Sequence, residues 1–138
     1  MTPGEMARIH SAAFAPQRGW NADEFTALLA QPHSSAFTAQ GGFALTRTVA
    51  GETELLTLAV APDHQRRGVA HSLITEWTQS TSTSAETAFL EVAADNTGAI
   101  ALYNKHGFIQ SGLRKAYYAR ADGTAADALL MTRALTRG

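Results

Sequence analysis

Residues Glu54 to Val60 read Glu-Leu-Leu-Thr-Leu-Ala-Val, apolar on both faces once past the first position. A strand of that kind has no face to give to water, so it belongs inside a sheet with helices on both sides. Pro62 ends it. From about Gly68 to Gln79 the apolar period changes: Val69, Leu73 and Trp77 form one row at helical spacing, and Ala70 and Ile74 a second. Thr87 to Val92 is then another buried strand. This β-α-β crossover commits the chain to an α/β fold.

The flanking segments fill in the layers. Thr2-Pro3-Gly4-Glu5 has the form of a capping box with Pro at the first helical position, and Met6, Ile9, Ala13 and Phe14 follow at helical spacing until Pro16 and Gly19. Asn21-Ala22-Asp23-Glu24 opens a second helix carrying Phe25, Leu28 and Leu29, which Gln31-Pro32 stops. Ser35 to Thr38 is a short strand. Gly42 to Val49 is a longer one, with Phe43, Leu45 and Arg47 alternating against Ala44, Thr46 and Thr48, and Ala50-Gly51 is a hairpin signal. The run Ser80 to Ser84 reads as a solvated loop. Thr97 to His106 is a helix with Asn96 as its cap and Gly107 as its left-handed stop. Phe108 to Tyr118 and Ala128 to Thr132 are strands joined through an Asp122-Gly123 turn. The order α α β β β α β α β β predicts a central mixed sheet flanked by helices, an α/β fold of the α+β kind.

At 138 residues the chain is expected to be one domain, 1–138. Eleven Lys and Arg against twelve Asp and Glu leave a net charge of −1, which argues against nucleic acid as a partner. With no cysteine there is no disulfide framework, thiolate metal site or cysteine nucleophile. No apolar run approaches the ~20 residues that cross a bilayer, and no signal stretch follows Met1. A cytoplasmic protein without a membrane partner is expected. His10, His33, His64, His71 and His106 lack metal-ligand spacing, so they read as scattered surface groups and no metal is implied.

The chemistry points to Gln65-Arg66-Arg67-Gly68-Val69-Ala70, a basic turn between a buried strand and a helix. Backbone N–H groups at a helix start have no intrahelical partner, and with the dipole they suit phosphate oxygens. Gly68 allows the ligand close to the backbone. Taken alone, the same six residues are equally a solvated Arg pair beside a helix start.

The turn does not stand alone. Leu58-Ala59-Val60-Ala61-Pro62 lies upstream; Leu90-Glu91-Val92, Asn96 and Ala99 to Phe108 lie downstream. Gln65, Gly68 and Ala70 meet the pattern Gln/Arg-x-x-Gly-x-Gly/Ala, and Asn96, Ala99, Tyr103, Gly107 and Phe108 meet Asn-x-x-Ala-x-x-x-Tyr-x-x-x-Gly-Phe. Together these resemble the GCN5-related N-acetyltransferase superfamily. Within it the stretch from Glu52 to Leu135 is most similar to the bacterial ribosomal-protein alanine N-acetyltransferase (RimI-like) group, whereas the stretch before Glu52 is little like it.

The resemblance implies the acyl-CoA N-acyltransferase fold and acetyl-CoA as cofactor, with CoA as product. It implies that Leu58, Ala59 and Val60 face the pantetheine arm across a splayed strand pair, with a backbone N–H near Val60 polarising the thioester carbonyl. The turn Gln65, Arg66, Arg67, Gly68, Val69, Ala70 and His71 would face the pyrophosphate, and Asn96 would hydrogen-bond the cofactor. Glu91 would be the general base and Tyr103 the general acid for the departing thiolate. Arg114, Lys115, Tyr117 and Tyr118 would wall the acceptor site. Each residue also has a plainer reading: core for Leu58 and Val60, an Arg-paired strand residue for Glu91, a packing aromatic for Tyr103, a simple cap for Asn96 and a solvated edge strand for 114–118. The stretch Ala15 to Asn21, matching the family's acceptor loop, carries no diagnostic residue.

The function implied is transfer of an acetyl group to a primary amine, a protein N-terminal α-amine by likeness to the RimI-like group. A small amine or amino acid is the alternative acceptor, and a non-catalytic acyl-CoA-binding module the alternative function. A nucleotide-phosphate binder of unrelated fold would have to use the 65–70 turn without the Asn96–Phe108 block. Family members usually begin with a strand, which here is expected to be missing or replaced, because the first helix opens at Thr2. An edge left bare in that way would invite pairing, so either a monomer or a homodimer is expected.

Overall fold

In the computed structural model, which describes residues 1–135, two helices precede every strand. Helix α1 spans Pro3–Phe14 and α2 spans Ala22–Ala30. The strands are β1 (Ser34–Ala39), β2 (Gly42–Val49), β3 (Glu52–Val60), β4 (Thr87–Ala93), β5 (Ile109–Ala119) and β6 (Ala125–Ala134). Helix α3 (Val69–Thr81) joins β3 to β4, and α4 (Thr97–Lys105) joins β4 to β5. The six strands form one sheet in the order β1-β2-β3-β4-β6-β5, antiparallel throughout except for the parallel β3–β4 pair. The mixed sheet and element order agree with the sequence reading. Among the described residues, no strand precedes α1 and no helix is long and apolar enough to cross a membrane.

The caps form as the sequence dictates. Thr2 accepts from the Glu5 amide, and Asn21 and Glu24 complete a reciprocal capping box. Gly107 stops α4 at φ +87°, a conformation that costs a Cβ-bearing residue energy.

Two details differ from expectation. Helix α3 runs on into the Ser/Thr patch as far as Thr81, because Thr78 and Thr81 bury their hydroxyls on the Ile74 and Trp77 carbonyls. Strand β2 is buried on both faces from Gly42 to Thr46 rather than alternating, because helices cover both sides of the sheet there.

The sheet separates two cores. On one side Leu73, Ile74 and Trp77 of α3 pack with Leu55, Leu90, Phe108 and Met131; on the other, Met6 and Phe25 pack with Phe43, Leu45 and Ala59. A bulge in β3 sets the phase between them. Leu45 faces Thr57 while Thr46 faces Leu55, so Leu56 is an extra residue. Leu55 and Leu58 accordingly pack toward α3, whereas Leu56 and Ala59 pack toward α1 and α2.

Candidate functional site

Strands β3 and β4 do not stay together. Their parallel pairing runs only from Glu52–Thr87 to Leu55–Leu90, although β3 continues to Val60 and β4 to Ala93. On its other side β3 remains paired with β2 to its end, and Ala61 donates to the Gly41 carbonyl at 2.7 Å. Hydrogen-bonded pairs alternate along an antiparallel ladder. With Ala61 bonded toward β2, the amides of Val60 and Leu58 therefore turn the other way, into the gap left by β4. The Val60 carbonyl turns the same way and accepts from the Gln65 side-chain amide at 3.1 Å, which leaves the two N–H groups for a ligand.

Beyond the gap lies the basic turn. Arg66 stands at φ +63° and Gly68 at φ +78°, and such left-handed residues in a turn gather successive N–H groups on one side. Thr2, Asn21 and Asn96 cap α1, α2 and α4 with a side chain, whereas Gly68 caps α3 with none. The donors of the first α3 turn are thus left for a ligand.

These features line one cleft of about 550 Å³, bounded by Leu58, Ala59, Val60, Gln65, Arg66, Gly68, Val69, Ala70, His71 and Asn96 together with Gly98, Ala99, Leu102 and Lys105 of the α4 side. Asn96 caps α4 by accepting from the Ala99 amide while bordering the cleft. Arg67 is absent from that lining and borders an adjoining cavity of about 270 Å³ with Gln40, His64, Gly68, Val69 and Ser72.

Glu91 and Tyr103 lie outside the lining of the main cleft. Glu91 pairs with Arg114 at 3.3 Å. Tyr103 is buried, meets Phe108 edge-on, and burial pushes its hydroxyl up to about 12, with Tyr118 adding to the shift. Tyr118 is raised as well, chiefly by burial and then by Glu91, so it stands within electrostatic reach of both residues. A second bulge in β5 sets its direction. The register slips between Arg114 and Tyr118, and Ala116 sits at φ +52° with its amide donating to Asp127 at 2.8 Å. Arg114 lies over the Tyr117 ring and Arg120 over the Tyr118 ring, and Arg120 forks onto Asp95.

Sequence reasoning missed the contribution of α1. Ala13 and Phe14 line the cleft, and Gln17 accepts from the Ala121 amide at 2.8 Å, tying the α1–α2 segment to the tip of the β5–β6 hairpin. His10 is not a surface group: it is 4% exposed, bonded at both ring nitrogens and stacked on Phe14 and Trp20. Its helical spacing from Met6 and Phe14 was the signal available.

Residues 6–108 match the acetyltransferase (GNAT) family. The chain is 41% identical over 90 residues to the ribosomal protein bS18-alanine N-acetyltransferase of Salmonella typhimurium, covering 64% of this chain and 60% of that protein. The chain thus spans about three fifths of the length of such relatives. It is 34% identical over 136 residues to the N-alpha-acetyltransferase RimI of Mycobacterium tuberculosis, covering 92% of this chain and 83% of that one. The crystal structure of the ribosomal-protein-S18-alanine N-acetyltransferase from Escherichia coli superposes with a TM-score of 0.88 at 30% identity, over 99% of this chain and 89% of that one. With the open strand pair, the uncapped helix start and these likenesses in agreement, the chain belongs to the GNAT acetyltransferase family.

Proposed function

We propose that this protein transfers the acetyl group of acetyl-CoA to a primary amine, and that the amine is the N-terminal α-amine of a protein. The observation that carries the reading is the early end of β3–β4 pairing, which leaves a backbone-lined slot continuous with an uncapped helix N-terminus. An extended ligand with amides of its own can pair there as an added strand, and its phosphates can meet free N–H donors. Among the residues present, Leu58, Ala59 and Val60 would hold the pantetheine arm. Gln65, Arg66, Gly68, Val69, Ala70 and His71 would hold the pyrophosphate, with Arg67 adding charge from its flank and Asn96 a polar contact.

Bound in the slot, acetyl-CoA supplies an acetyl group activated as a thioester. The Val60 N–H would be the donor available to the acetyl oxygen and would stabilise negative charge developing there. Glu91 takes the proton of the incoming amine, directly or through water. An α-amine with an ordinary value near ~8 is mostly protonated at neutral pH and needs that removal before it can attack. Tyr103 holds a hydroxyl proton for the departing sulfur. Arg114, Tyr117 and Tyr118 wall the acceptor side. The relatives' names, which specify an alanine N-terminus of a ribosomal protein or an N-alpha-amine, favour a protein N-terminus over a small free amine.

The test is a thiol-release assay with acetyl-CoA against an Ala-starting peptide, other N-terminal peptides and free amines. Turnover with the Ala-starting peptide, and acetate found on its α-nitrogen, is the expected result. Turnover on free amines alone would move the acceptor to the small-molecule class. CoA binding with no turnover on any acceptor would leave a silent binding module.

A further inference from the structure

The buried His10 has a defined task in this fold. The Trp20 backbone N–H donates to its Nδ1 at 3.0 Å, so that nitrogen carries no proton. In an uncharged ring the proton is then on Nε2, which reaches the Thr57 hydroxyl at 3.0 Å. Thr57 is offered to α1 by the β3 bulge that leaves Leu56 as an extra residue. The ring therefore joins α1, the 15–21 segment and β3. It also backs the cleft: His10 stacks on Phe14 at 4.4 Å, and Phe14 lines the cleft beside Leu58 and Val60. The segment it holds packs tightly on α1, since a Cβ on Gly19 would come within 2.7 Å of Ser11. At its far side Gln17 grips Ala121, next to the Arg120 that lies over Tyr118.

We infer that His10 is a positioning residue for the acceptor side of the cleft: its uncharged ring, protonated on Nε2, fixes Phe14 and the 15–21 segment, and through Gln17 the tip of the β5–β6 hairpin. The consequence for acceptor affinity rests on the acetyl-transfer reading, whereas the positioning itself does not. The device is acid-sensitive. A second proton on the ring removes the acceptor for Trp20 and places a charge among Phe14, Trp20, Phe25 and Phe43. Among the described residues, the charged groups acting on it are Glu24 from α2, which favours the charged ring, and Arg18 from the segment, which opposes it. These two neutralise each other at 2.8 Å, and burial dominates, lowering the ring from 6.5 to about 4. The folded value lies below the unfolded one. The contact is therefore fully favourable above pH 6.5 and is lost as pH falls from there through about 4.

The test compares the native protein with His10→Gln, which offers one donor and one acceptor but cannot gain a proton in this range, and with His10→Phe, which keeps an aromatic ring and loses both bonds. Amide exchange read by NMR should quicken at Trp20 and Ala121 in His10→Phe and leave the α3 amides unchanged. With an Ala-starting peptide, His10→Phe should raise the acceptor KM about tenfold, the scale of one lost buried hydrogen bond, with kcat within about twofold. His10→Gln should recover most of that KM, and in denaturant unfolding it should lack the loss of stability expected of the native protein as pH falls from 6.5 toward 4. Unaltered exchange at Trp20 and Ala121, or a native stability–pH profile retained in His10→Gln, overturns the inference. If His10→Phe does not fold, the His10→Gln comparison decides. If the native protein acetylates nothing, the functional reading fails, and the exchange measurement still tests the positioning.

Discussion

The two residues proposed as base and acid, Glu91 and Tyr103, stand in different surroundings. Glu91 lies at 21% side-chain exposure against an Arg114 that is 59% exposed, so its partner is largely solvated. Such a pair is worth roughly 0–1 kcal/mol, weak enough for an arriving ammonium to displace the guanidinium. Tyr103 is enclosed, and a hydroxyl pushed up to about 12 keeps its proton across the neutral range. In the proposed reaction it would offer that proton to the developing thiolate, although the upward shift makes it a weaker acid than an ordinary phenol. Replacing Tyr103 with Phe should lower kcat about tenfold or more, as loss of a general acid does, without changing CoA affinity in calorimetry; an unchanged kcat removes it from the chemistry. Glu91→Gln should flatten the acid limb of the kcat/KM profile, and a superimposable profile would assign the base elsewhere. Both positions were singled out in the sequence by family resemblance, Tyr103 through the Asn96–Phe108 motif and Glu91 through the Leu90-Glu91-Val92 strand. The Arg114 partner was not, because it depends on β5 being two strands away from β4 with β6 between them.

The turn into α3 and the gap beside it make one device from two elements. Gly68 at φ +78° ends the turn, leaves the helix start uncapped and lets a ligand approach the backbone. Space is not its constraint, since a Cβ there meets nothing within 4 Å. Gly68→Ala should therefore cost about 1–2 kcal/mol for the left-handed backbone alone, measured by denaturant unfolding, and should weaken CoA binding several-fold. A variant as stable as the native protein would mean that the turn relaxes without loss. The helix caps and the central strands were readable locally, because Asn21, Asn96 and Gly107 act within a few residues. The extent of β3–β4 pairing was not written in either strand: both are apolar throughout, and where they part depends on tertiary constraints. Family resemblance, not periodicity, supplied that expectation. The run of α3 into Thr81 escaped for a related reason, since composition alone does not show that a Thr hydroxyl will be buried on its own helix.

At the scale of the molecule, the sheet divides the work. The α3 side carries the turn and the large core around Trp77, whose indole donates to Thr53 at 2.8 Å, while the α1–α2 side holds His10 and the segment clasped to the hairpin. A ligand bound in the slot would touch both halves through β3. Saturating CoA at a hundred times its dissociation constant should therefore stabilise the whole fold by about 2.7 kcal/mol, seen as one shifted thermal transition. An unmoved transition would indicate that CoA does not bind the folded chain. The α/β class and element order follow from hydrophobic period over the entire chain, but the contact of Gln17 with Ala121 spans too much sequence to be read from either end. The most direct measurement is titration of CoA into the protein by calorimetry, with amide exchange followed at the same ratios. Binding at one site per chain, with a dissociation constant on the order of 1–100 μM and slowed exchange at Leu58, Val60, Val69 and Ala70, is the expected result. No binding, or binding that leaves those four amides exchanging as before, would contradict the account.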